Sequence, residues 1–271
     1  MVDESIIADV VALLGRWAGL LQTNIGTDGV YLFGSLIHRD GKQFGSGSDV
    51  DLVVVLPSKI DGAVDRVEWL ENLQKHKLEL ESDLVGVLKR SNAKIPICSI
   101  VAATSIELTA NIHKDGAIGF FSKNQFLDLL NTEIQNGLPG SGTLQIDERL
   151  LIEFFRFAQK KRNTYLGICA DGSSSFFEYS GDDPIPKDIM RHAAMVRQLH
   201  DLSDTAGAEY DTQRGLDFLS VRLYQLQSHG PMYAELSDKV SVRRGARGAA
   251  LNLSPGDQLL LSEITVPDLT G

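Results

Sequence analysis

The chain has 271 residues, 43% of them hydrophobic and 23% charged, the balance of an ordinary globular protein of one large domain or, by preference, two modest ones. Its formal net charge of -10 excludes broad non-specific attraction to nucleic acid or an anionic membrane, while leaving room for a local basic pocket.

Asp3 to Leu21 is predicted as an amphipathic helix, with Ile6, Val10, Leu13, Trp17 and Leu20 at helical spacing and acids in its first turn. No charged-then-apolar leader opens the chain and no uninterrupted apolar run is long enough to span a bilayer, so the expectation is a soluble, cytoplasmic protein without membrane insertion. Val30 to Phe33 is a short β-like run, followed by Gly34-Ser35 and a flexible loop, DGKQFGSGS. Asp49 to Leu56 is the clearest strand, stopped by Pro57. Asp61 to Arg90 reads mainly as helix, although KLELES within it alternates as a strand would. Ile95 to Ala103 is another strand-like run. It contains Cys98, which with Cys169 reads as a reduced core thiol rather than half of a disulfide or metal pair. Thr104 precedes Ser105-Ile106-Glu107 with the spacing of a capping box.

A further helix is predicted from Phe120 to Leu130, and the turn-rich segment Asn131 to Gln145 marks a domain boundary. The division is therefore residues 1–144 and 145–271. Beyond it the pattern turns helical: Asp147 to Tyr165, a second helix marked by Ile189, Ala193, Val196 and Leu199, and a third by Leu216, Leu219 and Leu223. SVRRGARGAALNLSPGD reads as loop or tail, its Arg243, Arg244 and Arg247 as a surface cluster, and QLLLSEITV as a late strand.

The chemistry concentrates in YLFGSLIHRDGKQFGSGSDVDLVVVL, Tyr31 to Leu56. In a strand, Asp49 and Asp51 project to one side while Val50 turns to the core. Two carboxylates so close repel unless a cation lies between them, and hard oxygen ligands suit magnesium carrying nucleotide phosphates. Gly34 lets backbone amides approach an anion, and Ser35 adds a hydroxyl donor. Together they describe a site for phosphoryl transfer by positioning and electrostatics.

The stretch FGS…SDVDLVVV resembles the signature of polymerase-β-type nucleotidyltransferases, strongly over Tyr31 to Leu56 and more weakly over the rest of the front half. The resemblance implies an α/β (α+β) fold: a small mixed sheet flanked by helices as the catalytic core, then a helical C-terminal lobe. It implies that Gly34 and Ser35 contact a triphosphate, with Ser48 beside them, and that Asp49 and Asp51 are catalytic and bind Mg2+ or Mn2+. The family's third carboxylate stands on a following strand; its counterpart here, KIPICSIVAAT, holds no acid, and Ser99 takes the corresponding place. Glu107 lies just beyond, but capping is its better assignment. Among the synthases of this superfamily a lysine on a later helix neutralises the triphosphate, which nominates Lys161, then Lys160 and Tyr165. His113 and Lys114 are assigned to structure or helix-end solvation in preference to the cleft.

The implied reaction moves an NMP from an NTP to a hydroxyl acceptor (nucleotide, oligonucleotide or RNA) and releases pyrophosphate, as in making a nucleotide signal for bacterial defence, with an effector or regulatory protein as partner. The alternatives are a nucleotidyltransferase toxin, a small-molecule adenylyltransferase, or a degenerate nucleotide-binding module without turnover.

Overall fold

The structure is a computed structural model that describes residues 4–38, 41, 42, 44, 45, 47–60, 62–144, 149–174, 176, 185–200, 211–245 and 253–266. The chain divides into two compact units: Met1–Asp61, Glu68–Ile146 and Gln159–Ser175 form one, and Gly62–Val67, Asp147–Ala158 and Phe176–Gly271 the other.

The first unit is built on a five-stranded mixed sheet. Helix α1 (Glu4–Asn24) leads to β1 (Gly29–Phe33), a single 3-10 turn (Gly34–Leu36) and β2 (Val50–Val55). Helix α2 (Ala63–Val87), β3 (Cys98–Ala103) and α3 (Ser105–Ala110) follow, then α4 (Phe120–Lys123), β4 (Gln125–Asp128) and β5 (Glu133–Asn136). The strand order is β3-β2-β1-β4-β5, with β2 and β3 parallel and every other pairing antiparallel.

By length and composition α1 could cross a bilayer, but Val10, Leu13, Leu14, Trp17, Ala18 and Leu21 are buried, and the Trp17 indole donates to the His76 carbonyl on α2. It is a core helix, with Asp9, Arg16 and Leu20 on its exposed side. Leu20, predicted as part of the apolar stripe, is 52% exposed because Leu14 and Leu21 fill the buried face.

The segment KLELES is helical, inside α2. Its Glu81 is fully buried and accepts the backbone amides of Ile97 and Cys98, while Lys77 pairs with it at 2.7 Å, so this helix fixes where β3 begins. The helix predicted from Phe120 to Leu130 is a correction: α4 ends where Asn124 goes extended, and Gln125–Asp128 pairs with both β1 and β5. The first of the turn formers that follow make the tip of the β4–β5 hairpin. Asp128 accepts the amides of Leu130 and Asn131, and Thr132 takes a left-handed conformation. Cys98 and Cys169 are buried and unbridged, as the sequence suggests.

Register partners point to the same face of a sheet. Tyr31, Val53 and Val101 share a row, and with Val55, Ala103, Leu108, Phe121, Phe126 and Leu138 they form a buried cluster. One step along the same face lies the row Phe33, Asp51, Ser99. There the core ends and polar chemistry begins.

The second unit contains α6 (Lys187–His200), α7 (Thr212–Leu226), α8 (Pro231–Gly245) and α9 (Pro255–Glu263), while α5 (Arg149–Tyr165) starts in this unit and ends in the first. Helices α6 and α7 cross so closely that a Cβ on Gly215 would lie 1.7 Å from the Met190 carbonyl oxygen. The buried Arg66 donates from Nε to Glu263 Oε2 at 2.9 Å and from Nη2 to the Glu263 carbonyl at 3.0 Å. Two further corrections fall here. QLLLSEITV is not a strand; most of it belongs to α9, whose residues from Gln258 to Glu263 are all buried, which removes the polar face a helix usually shows. SVRRG ends α8 rather than forming a tail, and Arg247 lies outside the described residues.

Candidate active site

Gly34 takes φ +80 directly after β1, a conformation side chains rarely adopt. A Cβ there would stand 2.7 Å from Asp51 Oδ2, so the glycine is where the backbone of the first strand meets the carboxylate of the second. Ser35 follows in the 3-10 turn, half-buried, and the turn is closed by Ile37 and His38 amides donating to the Gly34 carbonyl. The predicted pair is thus brought to Asp51.

Asp49 and Asp51 flank Val50, which is fully buried and whose amide donates to the Ile97 carbonyl at 2.8 Å. Asp49 is exposed at the mouth of β2 and Asp51 half-buried. Burial, and secondly the charge of Asp49, push the Asp51 carboxyl up to about 6, with Lys114 opposing the shift. Ser48 closes the approach: its hydroxyl accepts the Gly45 amide at 3.0 Å, and its carbonyl accepts from Arg90 Nη2.

On β3, Ser99 is the register partner of Asp51. Lys114 Nζ donates to Ser99 Oγ at 3.1 Å, and Asn163 Nδ2 of α5 donates to the same oxygen at 3.3 Å and to the Ile100 carbonyl at 2.8 Å. Burial lowers the Lys114 ammonium's pKa, against Asp115 and Asp51, which raise it. Lys114 therefore belongs to the cleft, contrary to the sequence assignment. His113 is structural: it is buried and stacks on Phe120 at 4.1 Å, and Phe120 meets Phe33 edge-on at 5.3 Å.

Glu107 caps α3 through the predicted box with Thr104, and Arg162 binds the same carboxylate at 2.7 and 2.9 Å, both side chains fully buried. This removes Glu107 as a third metal ligand. Lys161 is half-buried. At about 100° per residue it stands on the opposite side of α5 from Asn163, whereas Lys160, exposed, shares Asn163's side. Tyr165 is buried, its carbonyl accepting from Gln74 and its hydroxyl pushed up to about 12 by burial.

A family model described as Pol beta superfamily nucleotidyltransferase in conflict systems matches residues 13–269. The chain belongs to that family. No curated protein and no solved structure matches it. As a nucleotidyltransferase it is a transferase enzyme, and the sheet that carries Phe33, Asp51 and Ser99 in one row is its α+β core. Sequence reasoning missed Asn163, Arg90 and the Phe33–Phe120 pair. Asn163 lies two residues after Lys161 on the same helix; the other contacts depend on tertiary placement.

The site fits one divalent ion. Its donors are two carboxylates, with Asp51 crowded by the charge of Asp49, beside a backbone turn where a Cβ at Gly34 would press on Asp51. Among the described residues no group of three or more His, Cys, Asp or Glu side chains offers a fuller cage.

Proposed function

We infer that this nucleotidyltransferase is Mg2+-dependent (with Mn2+ as a substitute) and moves an NMP from an NTP to a hydroxyl of a nucleotide, oligonucleotide or RNA. The closeness of Gly34 to Asp51 carries the reading: it sets a side-chain-free backbone turn against a carboxylate pair, the two elements a metal-bound triphosphate needs. Asp49 and Asp51 hold the ion, which neutralises the phosphates when bound. Gly34 and Ser35 receive the phosphate chain, with Ser48 shaping the approach of Asp49. On α5 the cation that shares Asn163's side is Lys160, which the geometry favours over Lys161, the lysine the resemblance nominates. The acceptor oxygen forms a bond to the α-phosphorus as the bond from that phosphorus to the bridging oxygen breaks. The electron pair leaves with pyrophosphate, and the acceptor proton passes to solvent.

The conflict-system family favours a nucleotide signal or oligonucleotide as product. The test is incubation with each labelled NTP and dNTP and Mg2+ or Mn2+, scoring pyrophosphate and new phosphodiesters. Transfer that disappears in Asp51→Asn supports the reading. Transfer that persists in that variant, or the absence of any metal-dependent nucleotide binding, sinks it.

A further inference from the structure

Ser99 Oγ accepts two hydrogen bonds, from Lys114 Nζ and Asn163 Nδ2. A hydroxyl oxygen has two lone pairs, so Ser99 is left with only its O–H proton to offer. Lys114 has no acceptor at all, and its three N–H bonds include two that Ser99 does not use. Asn163 Nδ2 spends both of its N–H bonds, on Ser99 Oγ and the Ile100 carbonyl, and so positions the serine. Ser99 and Lys114 thus present free donors where Asp49 and Asp51 present acceptors. The two sets meet at the Asp51–Ser99 register pair, whose neighbouring strands run about 4.8 Å apart. Among the described residues Lys114 makes no ion pair with Asp51; it is tethered to Ser99.

A cluster of donors cannot ligate a cation; it takes an anion. We propose that Lys114 and Ser99, the serine held in place by Asn163, form an oxyanion subsite that grips the non-bridging oxygens of the phosphoryl group being transferred, so that the enzyme works with a single divalent ion. This rests on the nucleotidyl-transfer reading above. Lys114 supplies fixed positive charge to the phosphorus centre as the acceptor oxygen bonds to it and pyrophosphate departs with the electron pair. The ammonium keeps its protons throughout, and the acceptor proton goes to solvent.

The experiment counts Mn2+ bound per chain, by electron paramagnetic resonance and titration calorimetry, at saturation with the non-hydrolysable α,β-methylene analogues of ATP, GTP, CTP and UTP. The full-length chain binds one Mn2+ with its analogue. Lys114→Met keeps that ion but loses analogue affinity by about tenfold or more, and Lys114→Arg stays within about threefold of the parent. Ser99→Asp/Lys114→Met, which replaces donors with a carboxylate, gains a second Mn2+. Two ions in the unaltered chain, or unchanged analogue affinity in a Lys114→Met protein of unchanged melting temperature, overturns the subsite and leaves nucleotidyl transfer standing. Binding of neither Mn2+ nor any analogue overturns the transfer reading itself, and the subsite with it.

Discussion

The Gly34 α-carbon and the Asp51 carboxylate are neighbours without room for a methyl group: a Cβ would sit 2.7 Å from Oδ2, on backbone at φ +80. Gly34→Ala therefore meets two penalties, left-handed backbone strain of about 1 kcal/mol and displacement of the carboxylate it would touch. The expected outcome is a modest fall in melting temperature with a disproportionate loss of metal-dependent nucleotide binding. Calorimetric Mn2+ affinity measured beside thermal melting checks it; a fall in stability alone, with binding intact, contradicts the placement.

Asp51→Asn separates the carboxylate's charge from its shape. The charge is poorly solvated and repelled by Asp49, so the amide removes a destabilising interaction while preserving volume. The metal-free variant should melt at or slightly above the parent at neutral pH, yet show no stabilisation by Mg2+ with nucleotide. A large loss of stability would mean that Asp51 holds the fold rather than an ion.

What the sequence disclosed here divides along physical lines. The walls of the site were legible because they rest on local rules. Glycine is favoured where φ is positive, residues two apart in an extended chain point to one side, and Thr104 to Glu107 spells a cap. Strands β4 and β5 were not, because Phe120, Phe121 and Leu127 also fit a helical stripe and only pairing with β1 decides between the two. Helix α9 did carry a readable start, Ser254-Pro255-Gly256-Asp257, with a capping box and proline at its first position. Its complete burial erased the periodicity that would have confirmed it. The donor cluster was out of reach, since Ser99 meets Lys114 and Asn163 across separations of 15 and 64 residues.

Glu107 and Arg162 form a fully buried pair, and the carboxylate also accepts the Thr104 amide. Removing one partner leaves a buried charge uncompensated, at a cost of about 3–5 kcal/mol. Arg162→Met should lower the denaturant midpoint strongly, and Glu107→Gln/Arg162→Met should recover much of the loss. A double-mutant cycle in urea measures the coupling. Losses that simply add in the double variant would show that the pair is not coupled.

His113 gives a pH signature. Burial, the largest cause, lowers its pKa from the ordinary 6.5 to about 4, with Asp115 raising it and Lys114 lowering it further. Between these values the unfolded chain binds a proton that the folded chain refuses. Stability is therefore full above pH 6.5, declines as the pH falls through the window, and levels off below about 4, the total being on the order of 3 kcal/mol. The difference in unfolding free energy between the parent and His113→Phe isolates this contribution. It should vary with pH between 4 and 6.5 and be flat above.

Arg90 tests whether the exposed aspartate is held from behind. Its Nη2 donates to the carbonyl of Ser48, the residue before Asp49, and Ser48 is itself locked to the Gly45 amide. Asp49 lies exposed at the end of this tether, so its position depends on backbone restraint more than on packing around its side chain. Arg90→Met removes the donor while retaining much of the aliphatic stem. It should weaken Mn2+ binding by about tenfold, the scale of losing one charged hydrogen bond that orients a ligand. Arg90→Lys restores the charge but not the planar fork and should recover only part. The ion's calorimetric affinity in the three proteins reads this directly. Identical affinities would show that Asp49 is placed by β2 alone.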